Sequence, residues 1–311
     1  MKKNLILVLV FFLFSPLNAS AVEKLTLMLD WFPNVDHLPL YVAQESGYFK
    51  DQDIEVEIIS PSETSDALKL AASGQVDLAV SYQPQTLIAA DQGMDIRVIA
   101  PLVDHPLTTL LFLDKSIQTP ADLSGRKIGY TVPGLMDVML RAFADINQIR
   151  NYTPVNVGFT ILPSLVSQQV NAVMGPFKTY ETVTMAEHGH HASFFELEKY
   201  GIPDYEELLF VCGTRTLKKK EKAIKGFVAA LGKGLARTRT QPVTSLELYL
   251  SAAPQADKTV ETKAFELTRP YFAPKIGHDP EKWKEFMEFS LKYGLIRHPV
   301  DTAGLIHNWD K

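Results

Sequence analysis

Ser73-Gly-Gln-Val-Asp-Leu-Ala-Val-Ser81 and Ser167-Gln-Gln-Val-Asn-Ala-Val-Met-Gly175 carry one pattern twice. Each copy reads as a helix end, a polar turn and a short apolar run with the composition of a buried strand. Outward from the first copy, residues 25–29 form an apolar strand, then a turn at Phe32-Pro33-Asn34 leads into a helical pattern that closes at Gly47. Residues 54–59 alternate charged and apolar side chains as a strand does, and 65–73 is a short helix stopped by Gly74. Outward from the second copy the order repeats: strand 127–130, a turn at Pro133-Gly134, helix 135–147, strand 155–159, helix 162–169 and strand 170–174. Each half is a β-α-β-α-β unit, which calls for a mostly parallel sheet with helices on its faces.

Two such units imply an α/β chain of two lobes. Residues 106–113, apolar and rich in threonine, read as a strand leaving the first lobe, and 208–214 as a strand returning to it. The last hundred residues are mainly helical and should pack on the first lobe. The expected division is 22–110 and 208–311 for the first lobe and 111–207 for the second. In open α/β sheets a ligand sits beyond the carboxyl ends of the strands. Two lobes place two such edges face to face across a cleft.

The N-terminus sets the expected compartment. Lys2 and Lys3 precede an apolar run over 5–14, then Ser15-Pro16, then Ala19-Ser20-Ala21. That is the layout of a cleavable export signal. The run is half the roughly 20 residues a membrane span needs. No cysteine follows it, so a lipid anchor is not expected, and the mature chain should begin near Val22 in a periplasmic space. The whole chain has formal charge −5. The signal holds two lysines and no acid, so the mature part is near −7 (−5 minus +2). A net negative surface argues against a nucleic-acid partner. Cys212 is the only cysteine, sits in an apolar run and reads as core.

The strand ends supply the candidate site. Asp30, Trp31, Asn34 and His37 follow the first strand; Ser81, Tyr82 and Gln83 follow the third. In the second lobe Thr131 follows the first strand, and Gly175, Phe177, Tyr180 and Glu181 follow the last. Aromatic plates with a few polar groups between them suit a flat, uncharged or weakly basic ring. Glu181 can accept hydrogen bonds from an exocyclic amine, and Asn34 offers both donor and acceptor. Each residue also has an ordinary structural alternative. Trp31 can cap the first lobe's core, Asn34 can be a helix N-cap, His37 can be a satisfied histidine and Glu181 a surface acid. His188, His190 and His191 cluster in a polar loop without a further ligand, so no metal is expected. Gly-rich phosphate loops and hydrolase elbows are absent, and no cofactor is called for.

Leu29-Asp-Trp-Phe-Pro-Asn34, His37, Tyr41-Val-Ala and Gly47-Tyr-Phe resemble the opening of the NMT1/ThiY-like family. Ala79-Val-Ser-Tyr-Gln83 and Gly175-Pro-Phe-Lys-Thr-Tyr-Glu181 resemble two further blocks, so the likeness covers about residues 24–300. The resemblance implies the two-lobed fold of the type II periplasmic binding proteins. It also implies a monomeric binding component that delivers a thiamin-precursor pyrimidine, such as formylaminopyrimidine, to an ABC permease. It would put Trp31, Asn34, Tyr180 and Glu181 on a stacked pyrimidine. In the third block Pro176, Lys178 and Thr179 depart from the usual Gly, Trp and Asn, so another solute (a sulfonate, a flavin or another heterocycle) is the second reading. The family also contains pyrimidine-phosphate synthases that use pyridoxal phosphate. Their lysine and histidine positions fall here on Ser81 and Gln85, neither of which can do that chemistry. The expectation is a binding protein and not an enzyme.

Overall fold

The computed structural model describes residues 22–309. The expected export signal, 1–21, lies outside them. In chain order the strands are β1 (Glu23–Met28), β2 (Ile54–Ile59), β3 (Leu78–Ser81), β4 (Ile96–Val103), β5 (Thr108–Phe112), β6 (Lys127–Tyr130), β7 (Thr153–Asn156), β8 (Ala172–Phe177), β9 (Ser193–Glu196) and β10 (Leu208–Gly213). The helices that matter here are α1 (Leu38–Glu45), α2 (Asp66–Ser73), α3 (Gln83–Asp91), α4 (Met136–Ile146), α5 (Ile161–Val166), α6 (Glu181–Glu187), α7 (Thr214–Lys219), α8 (Glu221–Thr240), α9 (Pro242–Ala252), α10 (Lys258–Thr268) and α11 (Pro280–Lys292).

Two five-stranded sheets have the same topology, β2-β1-β3-β10-β4 and β7-β6-β8-β5-β9. Within each β-α-β-α-β unit the pairs are parallel: β1 with β2 and β3, β6 with β7 and β8. The strand inserted antiparallel next to them, β10 in one sheet and β5 in the other, is the one that has just crossed from the opposite lobe. Helices α8 and α9 pack on α1, which places the C-terminal helices on the first lobe.

The sequence repeat is also a repeat of hydrogen bonds. Asp77 and Asn171 occupy the same place in the two copies. The Asp77 N–H donates to Thr26 O (3.0 Å) while its Oδ2 accepts from Thr26 N (2.9 Å). The Asn171 N–H donates to Lys127 O (2.8 Å) while its Oδ1 accepts from Lys127 N (3.1 Å). A short Asx side chain thus pins the third strand of each unit to its first. The turns before it match too: Gly74 (φ 76°) and Gln168 (φ 57°) both adopt the left-handed conformation. In the second copy a glutamine accepts a backbone that glycine takes at lower cost.

Two boundaries differ from the sequence expectation. The strand expected to leave the first lobe, β5, pairs only with β8 and β9, so the changeover lies at 104–107 and we place the end of the first lobe there, not at 110. Residues 155–159 do not form a strand throughout: β7 ends at Asn156, whose side chain accepts from Gly158 N (3.1 Å) and turns the chain before Phe159. Buried Glu207 ties the two crossing segments together. It accepts from Leu107 N (2.6 Å), Thr108 N (2.7 Å), Thr108 Oγ1 (2.7 Å) and Tyr205 Oη (3.2 Å). Cys212 is buried in β10, and burial pushes its thiol up to about 12, which suits core and not reaction. Among the described residues no helix is long and apolar enough to cross a membrane.

Candidate functional site

Between the lobes lies a narrow cleft lined by residues of both. Asp30, Trp31, Asn34, Asp36, His37, Tyr82 and Leu208 line it from the first lobe. From the second come Thr131, Ile161, Gly175, Phe177 and Glu181. All arise where sheets end and helices begin, as the topology requires.

The first-lobe wall is a short 3-10 turn, Val35–His37, inserted before α1. Asn34 caps it: its Oδ1 accepts from Asp36 N at 2.8 Å, which leaves the amide Nδ2 as its free donor. Asn34 is therefore the cap of this turn, and it also lines the cleft. His37 is buried, with Nε2 2.9 Å from Asp30 Oδ1. The Tyr82 hydroxyl donates to Asp30 Oδ2 at 2.6 Å. Asp30 is thus fully engaged and positions His37 and Tyr82. The Trp31 ring does not cap its own lobe. It packs on the second lobe's small core around Val157 and Ile161, and meets Phe159 edge-on at 4.6 Å. Phe32, 51% exposed, tilts against the same Phe159 at 4.7 Å, so three aromatic rings from the two lobes meet in one cluster.

The second-lobe wall starts at Gly175. A Cβ there would lie 2.0 Å from Thr131 Oγ1, and its φ is +126°, so glycine alone lets Thr131 and the end of β8 share this edge. Phe177 N donates to Glu181 Oε2 at 2.7 Å, fixing that carboxyl at the start of α6. Burial is the largest influence on Glu181 and lifts it to about 7, against the opposing hydrogen bond from Phe177; nearby Asp30 lifts it further.

Two expected site residues face elsewhere. The Ser81 hydroxyl is buried and donates to Gln85 Oε1 (2.8 Å), and Ser81 is not among the residues that line the cleft. Tyr180 reaches across the lobes: its hydroxyl donates to Glu261 Oε1 on α10 (2.9 Å), while Glu261 Oε2 accepts from Val35 N (2.9 Å). With the bond from Thr64 Oγ1 to Thr131 O (2.7 Å), this latch holds the lobes together. Asp36, Ile161, Leu208 and Glu261 were not singled out from the sequence. An acid two residues after an N-cap reads as a partner for the helix dipole, and α10 is far away in the chain. Of the histidine cluster, His188 points its Nδ1 at Thr184 O (2.8 Å). Among the described residues no group of three or more His, Cys, Asp or Glu is arranged to hold a metal.

These groups give the apo protein a defined pH response. Burial raises Asp36 to about 8 and Glu181, Glu207 and Glu261 each to about 7. Hydrogen bonds that the His105 ring donates to Asp204 and then Glu198 raise it to about 9. In every case the native form binds its proton more tightly than the unfolded chain, so stability is lost as pH rises through these values. The apo melting temperature is expected to fall between about pH 6 and about pH 9. A flat or rising melting curve over that window contradicts these assignments.

Two sheets of this topology, joined by two crossing strands and facing each other across a cleft, define the periplasmic-binding-protein fold. The chain belongs to the NMT1/THI5-like family, whose model matches residues 34–245. It is 34% identical to a Haemophilus influenzae protein named for thiamine biosynthesis, over 90% of each chain. It is 30% identical to the formylaminopyrimidine-binding protein of Halalkalibacterium halodurans, over 90% of this chain and 88% of that one. A 4-amino-5-hydroxymethyl-2-methylpyrimidine phosphate synthase of Saccharomyces cerevisiae is 25% identical, over 89% of this chain and 85% of that one. In fold the chain resembles a protein of Bordetella bronchiseptica RB50 (TM-score 0.74, 20% identity, covering 92% of this chain and 95% of that one). It also resembles the alkanesulfonate-binding protein of Xanthomonas axonopodis pv. citri (TM-score 0.72, 14% identity, covering 93% and 99%).

Proposed function

We propose that this protein is the periplasmic solute-binding component of an ABC importer and that it captures an amino-bearing heterocycle, a thiamin-precursor pyrimidine in particular. The observation that carries this reading is the polar lining of the cleft, three carboxyl groups and a histidine. Asp30, Asp36 and Glu181 line it with His37, and among the described residues neither lysine nor arginine does. Anion sites are built from guanidinium, ammonium or helix N–H groups, so an acidic cleft disfavours the sulfonate alternative although that fold neighbour binds one. Trp31, Tyr82 and Phe177 supply faces for a flat ring. The Glu181 carboxyl lines the cleft and can accept an exocyclic amine, and Asn34 Nδ2 can donate.

The synthase reading meets the wrong residues. A Schiff base needs an amine nucleophile. The expected lysine position is Ser81, whose hydroxyl is bonded to Gln85, the residue at the expected histidine position. Among the described residues the cleft also has no lysine or arginine for a cofactor phosphate. Pyridoxal phosphate therefore does not fit this cleft. Native mass spectrometry of the protein as isolated tests the binding reading, with one bound aminopyrimidine per chain expected. Incubation with pyridoxal phosphate, iron and oxygen tests the other class. A pyrimidine product, with loss of a protein histidine, would replace capture by synthesis. Intact mass from the native periplasm tests export, with a mature chain starting near Val22 expected.

A further inference from the structure

Asp36 counts among the carboxyl groups of the cleft but takes no part in the ligand contacts assigned to Glu181 and Asn34. Its N–H donates to Asn34 Oδ1 (2.8 Å), and its Oδ1 accepts from the Thr268 hydroxyl (2.9 Å). The side chain lines the cleft and the residue is 1% exposed, yet Oδ2 has no partner among the described residues. A buried carboxylate oxygen left without a donor is costly, and native proteins rarely keep such a group without a use.

The neighbours do not neutralise it. His37 stands beside it on the same turn, but its Nε2 is held by Asp30. Asp30 faces it from the end of β1 and Glu181 from α6. Helix α10 packs on the turn and brings Thr268 and Glu261, and the Tyr180 and Tyr249 hydroxyls lie within electrostatic reach. Three acids and one histidine surround the group. Burial, foremost, lifts Asp36 to about 8; His37 and Thr268 pull it down, while Glu181 and Asp30 push it up. At neutral pH the carboxyl holds a proton for which the protein supplies no acceptor.

We propose that Asp36 is a ligand-contacting, specificity-determining residue that gives Oδ2–H to an unprotonated ring nitrogen of the captured heterocycle. This inference rests on the reading of the cleft as a receptor for an amino-bearing heterocycle. Glu181 then accepts the exocyclic amine from the second lobe while Asp36 donates to the adjacent ring nitrogen from the first. An aminopyrimidine presents that donor and acceptor side by side, and closure of the lobes completes the pair. A carbocyclic aniline presents only the amine and makes only half of it.

Calorimetric titration with 4-amino-5-hydroxymethyl-2-methylpyrimidine between about pH 6 and about pH 10 tests this, in buffers of different ionisation enthalpy. Wild-type affinity is expected to fall about tenfold per pH unit above about pH 8, with uptake of one proton on binding there. Asp36→Asn keeps the Thr268 bond through its oxygen and presents N–H at every pH. It is expected to lose the alkaline fall, its affinity staying level between about pH 8 and about pH 10. Replacing that ring nitrogen by CH is expected to weaken wild-type binding about tenfold or more at neutral pH and to flatten the profile. The analogue keeps the test decisive if the variant fails to fold. A flat wild-type profile, an alkaline fall that persists in Asp36→Asn, or an analogue that binds equally well overturns the role of Asp36 while leaving pyrimidine capture standing. Absence of pyrimidine binding by the wild type overturns the functional reading, and this inference with it.

Discussion

Glu181→Gln is expected to weaken pyrimidine capture by about one to two decades and to leave the apo protein as stable as before or more so. A charge-assisted hydrogen bond in a closed cleft contributes about 1.5–3 kcal/mol, and about 1.4 kcal/mol is a factor of ten. The glutamine oxygen can still accept from Phe177 N, the bond that orients the side chain. Its amide then puts a donor where the carboxylate offered an acceptor. On stability the sign runs the other way. Burial holds Glu181 at about 7, above the ordinary carboxyl range, so ionising it at neutral or alkaline pH costs the native state. A neutral isostere removes that cost, and apo melting is expected to hold or rise by a few degrees. A structural role predicts the reverse order, with melting falling first. A surface acid predicts no change in either. Calorimetric titration beside apo melting separates the three.

Glu207→Ala is expected to lower stability by at least about 3 kcal/mol, or about 10 °C in melting temperature at about 2–4 °C per kcal/mol. Two effects oppose each other at this residue. Burial raises Glu207 to about 7, so its ionised form carries a desolvation cost that alanine relieves. Against that, alanine leaves Leu107 N, both Thr108 donors and the Tyr205 hydroxyl without their acceptor. Each unpaired buried group costs about 1–3 kcal/mol, so the loss dominates. Glu207→Gln keeps one accepting oxygen and is expected to fall between alanine and wild type. Because the residue ties both crossing segments, the alanine variant is also expected to bind ligand more weakly at temperatures where it remains folded. Thermal melting with and without pyrimidine checks both effects. A loss below about 1 kcal/mol on Glu207→Ala contradicts the staple.

The two-lobed architecture was legible because the repeat is carried by residues whose side chains build it. Asp77 and Asn171 pin strands, and Gly74 and Gln168 turn the chain, at matching places. Trp31, Asn34, His37, Tyr82, Thr131, Phe177 and Glu181 were placed at strand ends by the same reasoning, and the structure brings them to one cleft. Ser81 and Tyr180 follow strands just as well, but adjacency along the chain does not fix where a hydroxyl points. Gln85 and Glu261 decide that, and Glu261 comes from a helix 81 residues beyond Tyr180. Glu207 was invisible for the same reason. It reads as one of two acids before a strand, and only the return of 104–108 beside it, about a hundred positions earlier, supplies its donors. Asp36 was masked by its ordinary place in a first turn. Side-chain partners of long sequence separation were what the one-dimensional pattern could not supply.

The central claim is that an acidic, aromatic cleft selects an amino-bearing heterocycle over an anion. Side-by-side calorimetric titration of the wild-type mature protein with 4-amino-5-hydroxymethyl-2-methylpyrimidine and with an alkanesulfonate, near neutral pH, tests it most directly. The expected result is saturable binding of the pyrimidine at one site per chain, at least about a hundredfold tighter than the sulfonate, equivalent to about 2.7 kcal/mol. Equal or tighter binding of the sulfonate, or no binding of the pyrimidine, would contradict it.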